Sequence, residues 1–112
     1  MKRILFLVTA LALASAPAFA ADKKTERLWK SKCASCHGKD GKADTTKGKQ
    51  MKMYDMTTAE WQKKLSDDQL KKATKEGVKE EKDGVTKEMD AYPDLTPEQL
   101  DGLVKFMRGL KA

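Results

Sequence analysis

The chain has 112 residues, room for one small domain, and carries 23 Lys and Arg against 17 Asp and Glu for a net charge of +6. Basic and acidic residues are interleaved, which argues against a nucleic-acid-binding stripe. Two cysteines and one histidine are the whole supply of Cys and His ligands, so a four-ligand zinc site would need carboxylates to complete it.

Residues 1–20 read as a unit apart: basic Lys2-Arg3, an apolar run from Ile4 to about Ala14, then the small-x-small sequence Ala18-Phe19-Ala20. The run is too short to span a bilayer, and the flanks of an uncleaved anchor are missing. A secretory signal cut after Ala20 is expected, leaving a domain over residues 21–112 with no membrane insertion and a periplasmic address. That domain has only eleven Leu, Val and Phe and no Ile among 92 residues, a composition that by itself would leave a chain unfolded. Something besides side chains must complete its core.

Asp22 is placed to cap a helix from about Lys23 that carries Leu28 and Trp29. It runs into Cys33-Ala34-Ser35-Cys36-His37, two thiols three positions apart followed by the only histidine. A C-x-x-C-H run reads as the covalent attachment site of one c-type haem, each thiol adding to a vinyl group and the adjacent imidazole lying under the iron as proximal ligand. A thioredoxin-like pair would need a βαβ pattern, and no strand run is read here. A plain disulfide would require neither the histidine nor the spacing. Haem also answers the composition: a large apolar slab, buried at about 25 cal/mol per Å², offsets backbone entropy that eleven aliphatic and Phe side chains cannot.

Gly38, Gly41 and Gly48 mark a loop from 38 to about 56. Thr57-x-x-Glu60 and Ser66-x-x-Gln69 are capping-box patterns opening two short helices with Trp61, Leu65 and Leu70, the second closed by Gly77. Residues 78–95 have no helical period and are expected to be irregular. Thr96-Pro97-Glu98-Gln99 predicts a strong helix start, and Leu100, Leu103, Val104 and Met107 follow at helical spacing, with Phe106 and Leu110 widening the stripe.

With one histidine, bis-histidine ligation is impossible, and the distal position falls to a methionine, to another weak ligand, or stays open. Met51, Met53, Met56, Met89 and Met107 are available, Met107 being most simply core.

This order of elements around Cys33-x-x-Cys36-His37 resembles a class I cytochrome c over residues 22–112. The resemblance implies an all-α fold in which first and last helices cross, with Trp29 packed on Phe106 and short helices and loops wrapping the haem. It places the axial methionine in Met89-Asp90-Ala91-Tyr92-Pro93, making Met89 the distal ligand and Met56 the runner-up. Tyr54 and Trp61 are candidate hydrogen-bond donors to the haem propionates. Two departures carry expectations of their own. The family's glycine eight residues before the first cysteine is Thr25 here, which predicts a wider or shifted helix crossing. The proline whose carbonyl accepts from the proximal histidine is missing, so a carbonyl in 46–50 is expected to serve.

Residues 21–52 carry ten Lys and Arg against four acids, while residues 76–94 carry seven acids against three lysines. The basic end suits a redox partner protein with an acidic docking surface. The function implied is a periplasmic electron carrier with no bond chemistry of its own. The alternatives are a haem enzyme or gas sensor with a labile distal site, which lacks a second histidine as acid or base, and a haem subunit of a larger oxidoreductase.

Overall fold

A computed structural model describes residues 22–110; the export signal expected over 1–20 lies outside them. Six helices and one β-hairpin make up these residues. The first helix, α1 (Lys23–Lys32), starts where expected: the Asp22 carboxylate accepts from the Thr25 N–H at 2.7 Å, and Glu26 in the first turn and Lys30 and Lys32 in the last complement the helix dipole. Its buried residues, Thr25 and Trp29, are four apart and so share one face. A second short helix, α2 (Ala34–His37), follows directly.

The region read as a loop from 38 to 56 contains another short helix, α3 (Thr46–Gln50), capped by the Thr45 hydroxyl. Helix α4 (Ala59–Lys64) starts one residue later than the Thr57 pattern indicated. Thr58 is its cap, accepting from the Trp61 N–H, because the Thr57 hydroxyl and N–H are both engaged by the Asp55 carboxylate, at 2.6 and 2.8 Å. Helix α5 (Asp67–Glu76) has the full Ser66–Gln69 capping box and ends at Gly77, and α6 (Pro97–Gly109) has the Thr96–Gln99 box with Pro97 in its first turn.

The expectation of an irregular segment over 78–95 is corrected by a hairpin of β1 (Val78–Lys82) and β2 (Val85–Met89), paired antiparallel with Val78 opposite Met89 and Lys82 opposite Val85, which adds one two-stranded element to a fold that is otherwise helical, as expected. Asp83 and Gly84 make the two-residue turn with φ of 53° and 74°, the left-handed pair that suits the twist of a hairpin. β1 is exposed throughout, so no apolar alternation marks it in the sequence.

Packing of α1 on α6 forms the centre of the core. Trp29 and Leu103 are the most deeply buried large side chains, and the Trp29 and Phe106 rings lie 4.8 Å apart between centroids, as the resemblance implied. The close approach lost at Thr25 is supplied from the opposite helix. A Cβ on Gly102 would stand 2.6 Å from the Thr25 hydroxyl oxygen, so Gly102 lets the two helices meet. Helix α4 is tied to α6 by polar bonds: Gln62 Nε2 donates to the carbonyls of Met56 and Met107 at 2.7 and 2.9 Å, and Arg108 donates to the carbonyls of Gln62 and Leu65 and to Asp67.

Candidate functional site

Cys33 sits at the junction of α1 and α2, and the backbone continues helically through it: the His37 N–H donates to the Cys33 carbonyl at 2.9 Å. Helical spacing of three puts Cys33 and Cys36 on one side of the chain, with His37 one position further around. The Thr45 hydroxyl donates to the Cys36 carbonyl at 2.7 Å, tying this turn to the start of α3. Neither cysteine forms a disulfide; Cys33 is buried and Cys36 partly so. Burial pushes the Cys33 thiol up to about 11, against the pull of the neighbouring Lys32 charge, so it stays a neutral thiol at pH 7.

Trp29 fixes the surroundings of His37. Its indole N–H donates to the Gly38 carbonyl at 2.9 Å, and its ring centroid lies 5.8 Å from that of the imidazole. Burial lowers the His37 pKa to about 4, so the imidazole is neutral at pH 7 with a lone pair free for a metal. Its Nδ1 is buried without a hydrogen-bond partner. The expected acceptor in 46–50 is thus absent among the described residues, because that segment is helical and spends its carbonyls locally: Lys47 on Met51, Gly48 on Met53, Lys49 on Lys52.

A cavity of about 390 Å³ opens beside His37, walled by Trp29, Cys33, Trp61, Leu65, Leu70 and all five methionines of residues 22–110. A second, of about 400 Å³, adjoins it; Cys33, His37, Met51, Met53, Glu88 and Met89 border both, and Cys36 borders only the second. Met89 ends β2 and reaches both cavities, as His37 does. Met56 borders only the first, and its backbone is held on both sides, the N–H by the Gly41 carbonyl and its own carbonyl by Gln62. Met107 is core, as expected, and forms part of the cavity wall.

Trp61 is buried at the cavity wall. Tyr54 is exposed and lines the first cavity, with the Lys64 and Lys87 ammonium groups 4.2 and 3.8 Å from its ring centroid, and the neighbouring Lys87 lowers its pKa. The two lysines carried no signal of their own in the sequence, since charged residues recur throughout this segment. Tyr92, also unassigned from sequence, donates its hydroxyl to the Lys32 carbonyl at 3.0 Å and so fastens the segment after Met89 to the end of α1.

These residues fit a haem. The cavities are of the size that holds a cofactor, the larger part of the wall is apolar, two thiols stand at helical spacing, and a neutral imidazole and a thioether border the same space. No helix among the described residues is long and apolar enough to cross a membrane.

Comparison with known proteins agrees with this geometry. The sequence model for cytochrome c matches residues 23–111. A solved structure described as the KustC0563 c-type cytochrome is 30% identical, with a TM-score of 0.63, and the match covers 79% of this chain and 98% of that one. No curated protein matches. With a C-x-x-C-H turn beside an apolar cavity and a family match over nearly all of the described chain, this protein is a small c-type cytochrome of the cytochrome c family, whose cofactor is covalently bound haem c.

Proposed function

We propose that the protein is an exported, periplasmic electron carrier, cleaved after Ala20, in which Cys33 and Cys36 hold one haem, His37 is the proximal ligand and Met89 the distal one. The observation that carries this reading is the shared border of the two cavities, where Cys33, His37 and Met89 meet. When bound, the haem supplies a one-electron couple between ferric and ferrous iron. His37 meets it as a neutral base, because burial disfavours its protonated form. A thioether from Met89 favours the ferrous state and raises the potential relative to a second imidazole. The apolar wall built from Trp61, Leu65, Leu70 and Met107 keeps water from the iron, and Trp61 and Tyr54 are the donors for the haem carboxylates. With His37 and Met89 both holding the iron, the haem would have no open position for bond-making chemistry, and none is assigned to the site. Its partners are redox proteins, and the lysine-rich stretch 21–52 suits an acidic surface on one of them.

Two measurements on the purified protein test this reading. Haem should survive denaturing electrophoresis in wild type and be lost in Cys33→Ser/Cys36→Ser. The ferrous protein should not bind carbon monoxide, as a closed iron requires; ready binding would replace the carrier with an open-site enzyme or sensor.

A further inference from the structure

We propose that Lys87 and Lys64 are the counter-ions of the haem carboxylates, and that the hairpin, through Lys87, thereby raises the reduction potential. The inference rests on the reading that one haem is bonded to Cys33 and Cys36 in the adjoining cavities. Haem carries its two vinyl groups and its two carboxylates at opposite edges of the ring, so sulfur bonds at one edge send the carboxylates to the end of the space remote from the cysteines. Cys36 borders the second cavity alone, whereas Tyr54, Trp61, Lys64 and Lys87 border the first alone. The carboxylates therefore point toward these four residues, and two of the four are cations.

Strand geometry carries Lys87 to that place. In β2, Val85, Lys87 and Met89 are half-buried while Thr86 and Glu88 are exposed, so Lys87 and Met89 share the inner face, about 7 Å apart along the strand. The strand that offers a thioether to the iron thus offers an ammonium beside it. The Lys87 and Lys64 ammonium groups lie 3.8 and 4.2 Å from the Tyr54 ring centroid. One aromatic face is a weak partner for two like charges, which also repel each other. Neither lysine belongs to an ion pair among the described residues, where the pairs are Lys49–Asp44, Lys71–Asp101 and Arg108–Asp67. Glu80, opposite Lys87 in the ladder, borders the same cavity but is exposed and makes no ion pair with it. A half-buried ammonium at a mostly apolar wall calls for an anion, and two carboxylates answer two lysines. Ferric haem carries one more positive charge than ferrous haem, so cations held close to it favour the ferrous form.

The test is the reduction potential of the holoprotein at about 0.15 M salt, where a screening length of about 8 Å damps distant charges, read together with the resonance Raman bending modes of the haem carboxylates. Lys87→Gln should disfavour the ferrous form about tenfold, a fall of about 59 mV for one electron, and shift the carboxylate modes. Lys64→Gln should lower the potential by less, because Lys64 is the more exposed of the two. Lys87→Arg keeps the charge and should stay close to wild type. Lys79→Gln removes the same charge from the same hairpin at an exposed position outside both cavity walls, and should move the potential least and the carboxylate modes not at all. If Lys87→Gln also loses the sulfur-to-iron band, Met89 has moved with it, and Lys64→Gln, on a separate helix, decides. Potentials in Lys87→Gln and Lys64→Gln no lower than in Lys79→Gln, or a Lys87→Arg potential as low as that of Lys87→Gln, overturn the proposal. A wild-type protein without covalently held haem overturns instead the reading on which it rests.

Discussion

Gly102 and Thr25 face each other across the packed first and last helices, with the glycine on the last helix and the larger residue on the first. A Cβ at Gly102 would meet the Thr25 hydroxyl at 2.6 Å and its Cγ2 and Cβ at 3.6 and 3.7 Å, and Thr25 is itself buried and β-branched, with little freedom to turn away. Gly102→Ala should therefore destabilise the holoprotein by about 1–3 kcal/mol through overpacking, although alanine is the better helix former. Thr25→Gly added to it should recover part of the loss. Urea midpoints of the two single variants and the double variant measure this; a stabilised Gly102→Ala protein would mean that the helices are not in close contact there.

Arg108 joins three elements. Its Nη1 and Nη2 donate to the Gln62 and Leu65 carbonyls at 2.7 and 2.6 Å, and its Nε to Asp67 at 2.8 Å. Arg108→Ala strands the two carbonyls and should cost about 1–3 kcal/mol. Arg108→Lys should restore little of it, because an ammonium cannot reproduce the planar fork. Asp67→Asn should cost less than about 1 kcal/mol, the carboxylate being mostly exposed. Equal losses on removing Arg108 and Asp67 would show that Arg108 acts through its ion pair to α5 and not through the carbonyl bonds to Gln62 and Leu65.

Acid should weaken the fold within a defined window. His37 is held near pKa 4 by burial, against 6.5 when free, so between these values the unfolded chain takes up a proton that the folded chain refuses. Stability should be full above pH 6.5 and fall as pH decreases toward 4, by up to about 1.4 kcal/mol per unit where the one-proton difference is complete. An iron bound to the imidazole acts in the same direction. Asp22 and Asp55 have pKa values lowered by their hydrogen bonds to Thr25 and Thr57, and their contributions are lost only below the ordinary value of 3.8, which leaves the higher window to His37. Urea midpoints at a series of pH values check this; a flat response from 6.5 to 4 would contradict it.

The parts of the fold legible in the sequence were those written in local chemistry. Asp22, the Ser66–Gln69 box and the Thr96–Gln99 box each start the helix assigned to them, since a side-chain oxygen and the N–H three residues on are fixed by sequence alone. At Thr57 and Thr58 two candidates stood side by side, and Asp55 decided between them by occupying the first. The hairpin escaped because β1 buries nothing on either face and so shows no alternation; its one signal was Asp83-Gly84, a strong hairpin turn pair. In the site, Cys33, Cys36 and His37 were legible as a motif, whereas the two lysines around Tyr54 were not, because only the fold brings Lys64 and Lys87 to one ring. The unpartnered Nδ1 of His37 depends on the hydrogen-bonding of a helix at 46–50 that was read as loop.

The distal ligand tests the account most directly, through the weak long-wavelength sulfur-to-iron absorption band of the ferric holoprotein in wild type, Met89→Ala and Met56→Ala. Met89 borders both cavities along with His37, while Met56 borders one and is anchored by its backbone to Gly41 and Gln62. The account predicts the band in wild type and in Met56→Ala, and its loss in Met89→Ala. A band that persists without Met89 and vanishes without Met56, or one missing from wild type altogether, would contradict it.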